Sequence, residues 1–141
     1  MKEDFKVYIG GKLNSDAVGY LNNVHLMMET AEEARLEGFS VFVPAIDLLM
    51  GIKFGYDKYE EYFDNSQPWL KVSDGLLLVE NFKDSKGTAK EVKTALDYGI
   101  PVFIYLDDMI AYRDDNKNGK HIVALSITDG LISDYELDYA K

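Results

Sequence analysis

Glu91 stands four residues after Gly87 in the stretch Asp84–Leu106, DSKGTAKEVKTALDYGIPVFIYL. A glycine opening a helix, a carboxylate one turn in, and an apolar strand after YGIP pose a chemical choice. The N-terminal end of a helix carries partial positive charge and unsatisfied N–H groups, which keep a nearby carboxylate ionised. An ionised carboxylate in a crevice can attack an anomeric carbon and form a covalent glycosyl–enzyme intermediate. The competing reading is structural. Thr88-Ala89-Lys90-Glu91 has the form of a capping box, with Glu91 folded back onto the Thr88 N–H. Capping boxes are common and nucleophiles rare, so the local pattern by itself favours the cap.

The neighbouring candidates carry the same double meaning. Asp84 and Ser85 either bind sugar hydroxyls and steer Glu91, or serve as N-cap and turn residues. Tyr8 lies near the carboxyl end of a first strand. Its phenol either hydrogen-bonds the nucleophile or sugar, or packs in the core, and a lone tyrosine in an apolar strand favours packing. Gly10, Gly11 and Lys12 match neither G-x-x-x-x-G-K-[ST] nor G-x-G-x-x-G. They let backbone approach a ligand and offer a lysine to a phosphate, or they make a plain strand-end turn. Asp64, Asn65, Ser66 and Gln67 form a polar cluster suited to a heterocyclic base, with Trp69 or nearby tyrosines stacking. The alternative is a helix start, with Asn65 or Ser66 as cap, Pro68 in the first turn and Trp69 in the core. His25 and His121 stand apart and make neither a metal site nor a triad.

The elements that must position these residues alternate. FKVYIGG (Phe5–Gly11) reads as a first strand opening into a loop. From about Asp16 to Glu37, Val18, Leu21, His25, Met28, Ala31, Glu32 and Arg35 recur at helical spacing, with the apolar members expected inward. Gly38 stops that helix. FSVFVPA (Phe39–Ala45) is a second strand, apolar enough to be covered on both faces. Ile46 to Lys71, broken by Gly51, Gly55 and Pro68, reads as short helices and loops covering one edge of a cavity. DGLLLVE is a third strand, Thr88 to Tyr98 a helix, IPVFIYL a fourth strand, and HIVALSIT a candidate fifth after a polar turn. The acidic tail, DGLISDYELDYAK, reads as partly ordered. Strand–helix alternation implies parallel pairing with right-handed crossovers, and such sheets bind ligands beyond the carboxyl ends of their strands. GGKLN, PAID with Asp47, ENFKDSKG and LDD then converge on one crevice.

Composition bounds the rest. The 141 residues form a single expected domain, 1–141, with 47% hydrophobic and 13% aromatic residues, which excludes a disordered chain. There is no cysteine, hence no disulfide framework and no thiolate chemistry. The start lacks the apolar core of a signal peptide, and no apolar run reaches the roughly 18 residues of a membrane helix, so a cytoplasmic location follows by default. A net charge of −10 argues against a nucleic-acid polymer as partner. A small molecule is the better expectation, and neither metal nor other cofactor is indicated.

These pieces together resemble the nucleoside 2-deoxyribosyltransferase-like superfamily, which includes nucleotide N-glycosidases. The resemblance runs from Tyr8 to about Leu106 through VYIGG, GFSVFVP, LKVSDGLLLV and, most specifically, SKGTAKEVKTALDYGIPVF, a G-x-x-x-E…A…G-x-P-V signature. It implies an α/β three-layer sandwich, Rossmann- or flavodoxin-like, around a mostly parallel sheet of four or five strands. It also implies cleavage or transfer at the N-glycosidic bond of a nucleoside or nucleotide, and a homo-oligomer whose site takes residues from a neighbouring subunit. Glu91 would be the nucleophile, Tyr8 its first-strand partner, and Asp84 or Ser85 the sugar-orienting group. Counting back from Asp74 places Ser66 where such transferases carry an aspartate, with Asp64 two positions away. The expected catalytic set is therefore Glu91, Asp84 and Tyr8. The expected ligand-binding set is Gly10, Gly11, Lys12, Asp47, Asp64, Ser66, Ser85 and Gly87. A nucleotide or nucleotide-sugar binding protein without turnover, on the same fold, is the rival reading.

Overall fold

β1 (Lys6–Gly10) alternates its side chains between two cores: Val7 and Ile9 point to one, Tyr8 to the other. That period of two, with every residue from Val7 onward buried, is what a central strand covered on both faces requires. The computed structural model describes residues 4–55, 59–115 and 118–139, apart from the side chains of 46–49, 52 and 59. After β1 come α1 (Ala17–Leu36), β2 (Ser40–Phe42), α2 (Asp47–Phe54), α3 (Tyr59–Lys71) and β3 (Gly75–Leu78). The chain continues through α4 (Lys86–Asp97), β4 (Val102–Phe103), α5 (Leu106–Asp115), β5 (Lys120–Thr128) and β6 (Leu131–Tyr139). β1 to β4 form one parallel sheet in the order β2-β1-β3-β4. The fold is thus the expected α/β three-layer sandwich, with four strands in its sheet.

The two faces bury separate clusters. Phe5, Val7, Ile9, Leu77, Val79 and Phe103 meet Met27, Ala31 and Ala34 of α1 and Met109 of α5. On the other face Tyr8, Leu76, Leu78 and Val102 meet Leu70 of α3 and Ala89, Val92 and Ala95 of α4. Among the described residues no helix is long and apolar enough to cross a membrane.

Several expectations are corrected. The stripe Val18, Leu21, Met28 of α1 faces solvent, at 70, 57 and 55% exposure, and His25 is exposed beside it. The face toward the sheet is Met27, Ala31 and Ala34, and the two alanines let the helix approach closely. Both stripes have helical spacing, so periodicity alone did not choose between them. Pro68 sits inside α3 rather than in its first turn, and neither Asn65 nor Ser66 caps the helix, which begins at Tyr59. Trp69 is 55% exposed and stacks on Phe42 at 5.7 Å, instead of entering the core. Leu106–Asp115 is a helix where only the LDD turn was expected. HIVALSIT does become a strand, but it pairs antiparallel with the tail as a hairpin instead of joining the main sheet. The tail supplies the partner strand: Ile132, Tyr135 and Leu137 lie opposite Ile127, Leu125 and Ile122, with register shifts between Ile122 and Ala124 and between Ser126 and Ile127.

Candidate functional site

The strand order changes direction at β1: β2 lies on one side of it and β3 on the other. Loops leaving β1 and β3 at such a point diverge and leave a crevice at the carboxyl edge of the sheet. Here that crevice is a cavity of about 670 Å³, enough for a ligand of nucleotide size. The loop after β1 gives Gly11, Lys12, Leu13 and Asn14. The segment after β3 and the start of α4 give Asp84, Ser85, Lys86, Gly87, Thr88, Lys90 and Glu91. Tyr20 and Met27 come from α1, Pro44 from after β2, Tyr62, Phe63 and Ser66 from α3, and Leu131 from the hairpin.

Local chemistry explains how these groups are held. Ser85 is the N-cap of α4, its Oγ accepting the Thr88 N–H at 3.0 Å. The capping box with Thr88 at its head is therefore overturned: Ser85 takes that place, and Glu91, the sixth residue of α4, is beyond reach of the cap. Glu91 instead accepts a hydrogen bond from the Tyr8 phenol. Tyr8 is itself buried and stacks on Phe42 at 5.4 Å, which fixes its ring.

Burial pushes the Glu91 carboxyl up from 4.5 to about 7, and the Tyr8 hydrogen bond pulls in the opposite direction. The expectation that the helix end keeps this carboxylate ionised is corrected for the same reason. End charge fades within the first turn, and Glu91 lies past it. Glu91 is half-buried in the chain and lines the cavity, so a ligand can still reach it.

The loop after β1 is clamped from a distance. Asn81 accepts the Lys12 N–H at 3.0 Å and donates to the Lys12 carbonyl at 3.4 Å. It also donates to Asn23 Oδ1 at 3.3 Å, while Asn23 donates to the Leu13 carbonyl at 3.1 Å. Gly11 permits this: a Cβ there would lie 2.7 Å from Val79 Cβ and 3.0 Å from Asn81 Oδ1.

At the start of α4, Thr88 Oγ1 is fully enclosed. Among the described residues it is the one buried side-chain polar atom with no hydrogen-bond partner. Lys12, Lys86 and Lys90 line the same cavity, a local concentration of cations in a chain of net charge −10.

Of the residues singled out from sequence, Tyr8, Gly11, Lys12, Ser66, Asp84, Ser85, Gly87 and Glu91 line this cavity. Gly10 does not; it is buried as the last residue of β1. Asp64 does not either: it is exposed on α3. Asp47 opens α2, and its side chain lies outside the described residues. The LDD turn stays away from the crevice, with Asp108 accepting the Lys120 N–H at 3.1 Å. His121 packs beside Phe103 and Tyr112. Among the described residues no group of three or more His, Cys, Asp or Glu is placed to hold a metal ion.

Sequence reasoning missed Tyr20, Met27 and Leu131, which reach the cavity from α1 and the hairpin. Tyr62 and Phe63 fall in the aromatic segment read as an edge cover, and that composition was their signal. The Asn81–Asn23 clamp had none, because its members are 58 residues apart.

Residues 5–104 match a protein family described as a domain of unknown function (DUF4406). Among solved structures, the chain is similar to a 2-deoxyribosyltransferase from the psychrotolerant bacterium Bacillus psychrosaccharolyticus, with a TM-score of 0.51 and 24% identity over 70% of this chain and 69% of that one. It is also similar to a conserved protein from Enterococcus faecalis V583, with a TM-score of 0.56 and 18% identity over 79% and 76% of the two chains. At these identities the likeness establishes the fold. No curated protein matches the sequence.

Proposed function

The chain belongs to the DUF4406 family, and from that premise we propose that it cleaves or transfers at the N-glycosidic bond of a nucleoside or nucleotide, with Glu91 as nucleophile. The observation that carries this reading is a half-buried carboxyl held by a buried phenol, Glu91 on Tyr8, at the carboxyl edge of a parallel sheet. The shared fold with a 2-deoxyribosyltransferase supports it.

In the proposed reaction an ionised Glu91 oxygen attacks the anomeric carbon as the bond to the base nitrogen breaks, and the bonding electrons leave with the base. The base takes a proton from a group on the cavity wall, where Asp84 is the acidic side chain besides Glu91. Water then attacks the same carbon, gives its proton to the group that protonated the base, releases the sugar and returns Glu91 to its carboxylate. A second base in place of water gives transfer. Tyr8 holds Glu91 in line and stabilises its charged form. Positive charge developing on the sugar in the transition state favours the ionised carboxylate further.

The lysines favour a phosphorylated substrate. They surround the N-terminal end of α4, where free N–H groups receive anions. In this reading Lys12, Lys86 and Gly87 hold a 5′-phosphate, and the aromatic wall of Tyr20, Tyr62 and Phe63 takes the base. Assembly as a homo-oligomer belongs to the same reading, and the mass of the particle in solution checks it.

The test is incubation with nucleosides and their 5′-monophosphates, following free base by chromatography. Base release that disappears in Glu91→Ala supports the reading; no release at high enzyme concentration, or release unchanged in that variant, refutes it. The second reading, binding without turnover, is favoured by Ser66. Its hydroxyl donates to the Tyr62 carbonyl of its own helix, where a transferase would carry an acid for the departing base. Recovery of a tightly bound, intact nucleotide would select that alternative.

A further inference from the structure

The β5–β6 hairpin lies beyond residues 5–104, the segment that matches the family, yet it contributes to the cavity wall. Leu131, the first residue of β6, lines the cavity next to the start of α4. The turn that places it is built for the purpose. Asp129 and Gly130 both take left-handed backbone, with φ of 56° and 82°, as a two-residue hairpin turn demands. The main chain at Gly130 runs along the Lys86 side chain, so closely that a Cβ there would sit 3.2 Å from Lys86 Cδ.

The tip is anchored firmly. Ile122 and Ile132 are buried in the core shared with Phe82 and Val92. Tyr135 lies 5.9 Å from Phe82, and the Lys83 ammonium sits 5.0 Å above the Tyr135 ring. The hairpin, the segment after β3 and the first turn of α4 therefore pack as one unit around the end of the cavity that holds Lys86, Gly87 and Thr88.

We infer that this hairpin tip is a specificity wall supplied by the chain itself, and that Leu131 limits the ligand at the α4 end to a single phosphate or less. The inference rests on the phosphorylated-substrate reading above. The reason is chemical. The Lys86 ammonium beside the tip serves one phosphate, and a second or third extending past it would meet an aliphatic side chain that offers no hydrogen bond and displaces the water the charge needs. Leu131 is a specificity-determining residue on this account, and Gly130 positions both it and Lys86.

The experiment measures affinities for a nucleoside and its 5′-mono-, di- and triphosphates by calorimetry. All are measured in a Glu91→Gln background to prevent turnover, with Leu131→Ala and Leu131→Trp added in turn. Leu131→Trp keeps an apolar wall and enlarges it, so its effect is opposite in sign to that of truncation. In the background protein the monophosphate is expected to bind about tenfold or more tightly than the di- and triphosphates, a gap of the size one pocket contact gives. Leu131→Ala should narrow that ratio to within about threefold, and Leu131→Trp should widen it. A uniform loss of affinity across the series is what a merely structural role would give, and it would overturn the assignment. So would equal affinities in the background protein, or a ratio that neither variant changes. Failure of every compound to bind would refute the functional reading itself, and this assignment with it.

Discussion

Among the described residues, Glu91 is the side chain whose titration burial raises into the neutral range. Its carboxyl keeps its proton up to about pH 7 in the folded chain, against about 4.5 once unfolded. The folded state therefore binds more protons between those values, and stability falls as pH rises through that window and levels off above it. The shift corresponds to roughly 3 kcal/mol at most. Glu91→Gln should remove this slope and leave the variant more stable than the parent at pH 8, by about 1–3 kcal/mol in urea unfolding. Any base-releasing activity should rise through about pH 7 as Glu91 ionises. Tyr8→Phe deletes the hydrogen bond that favours the carboxylate. That rise should move to higher pH, with the plateau rate lowered roughly ten- to hundredfold, the worth of one charge-assisted hydrogen bond. A pH–rate profile of Tyr8→Phe superimposing on the parent's would separate Tyr8 from Glu91.

At the scale of elements, the α4 N-terminus makes two substitutions behave in opposite ways. Ser85→Ala removes the cap on the Thr88 N–H and should cost about 1 kcal/mol of stability. Thr88→Val removes a buried hydroxyl that has no partner, so stability should hold or rise. Thermal unfolding reads both effects. The loop after β1 depends on Asn81: Asn81→Ala leaves the Lys12 N–H and carbonyl without that partner and should cost about 1–3 kcal/mol in urea unfolding.

These elements also show what the sequence made legible. The β1, β3 and α4 segments are read correctly because each carries a strong local signal, continuous apolar runs or an apolar stripe with its glycine stop. The face of α1 and the partner of β5 depend on long-range packing. Val18 and Leu21 have the right spacing yet lie outside, and β5 finds β6 across a two-residue turn instead of joining the sheet edge. Ser85 is one of three caps the sequence offers, beside Asp84 and Thr88, and placing the cap three residues before Thr88 decides Glu91's geometry.

For the whole molecule, charge and topology act together. A chain of net charge −10 gathers Lys12, Lys86 and Lys90 at the one place where a direction change in the strand order opens a crevice. On the proposed reading the general surface repels polyanions while the crevice receives a small anion. Three of the four post-strand loops expected to converge supply that crevice with wall residues or neighbours. The fourth, after β4, is drawn into α5 and the hairpin contact through Asp108. The central claim is that Glu91, held by Tyr8, forms a bond to the sugar carbon. The most direct test is free-base release from a panel of nucleosides and 5′-monophosphates, with the parent chain and Glu91→Ala side by side. The account predicts release by the parent and a loss on the order of a thousandfold or more in the variant. Release that persists in Glu91→Ala, or a parent that returns every compound intact, would contradict it.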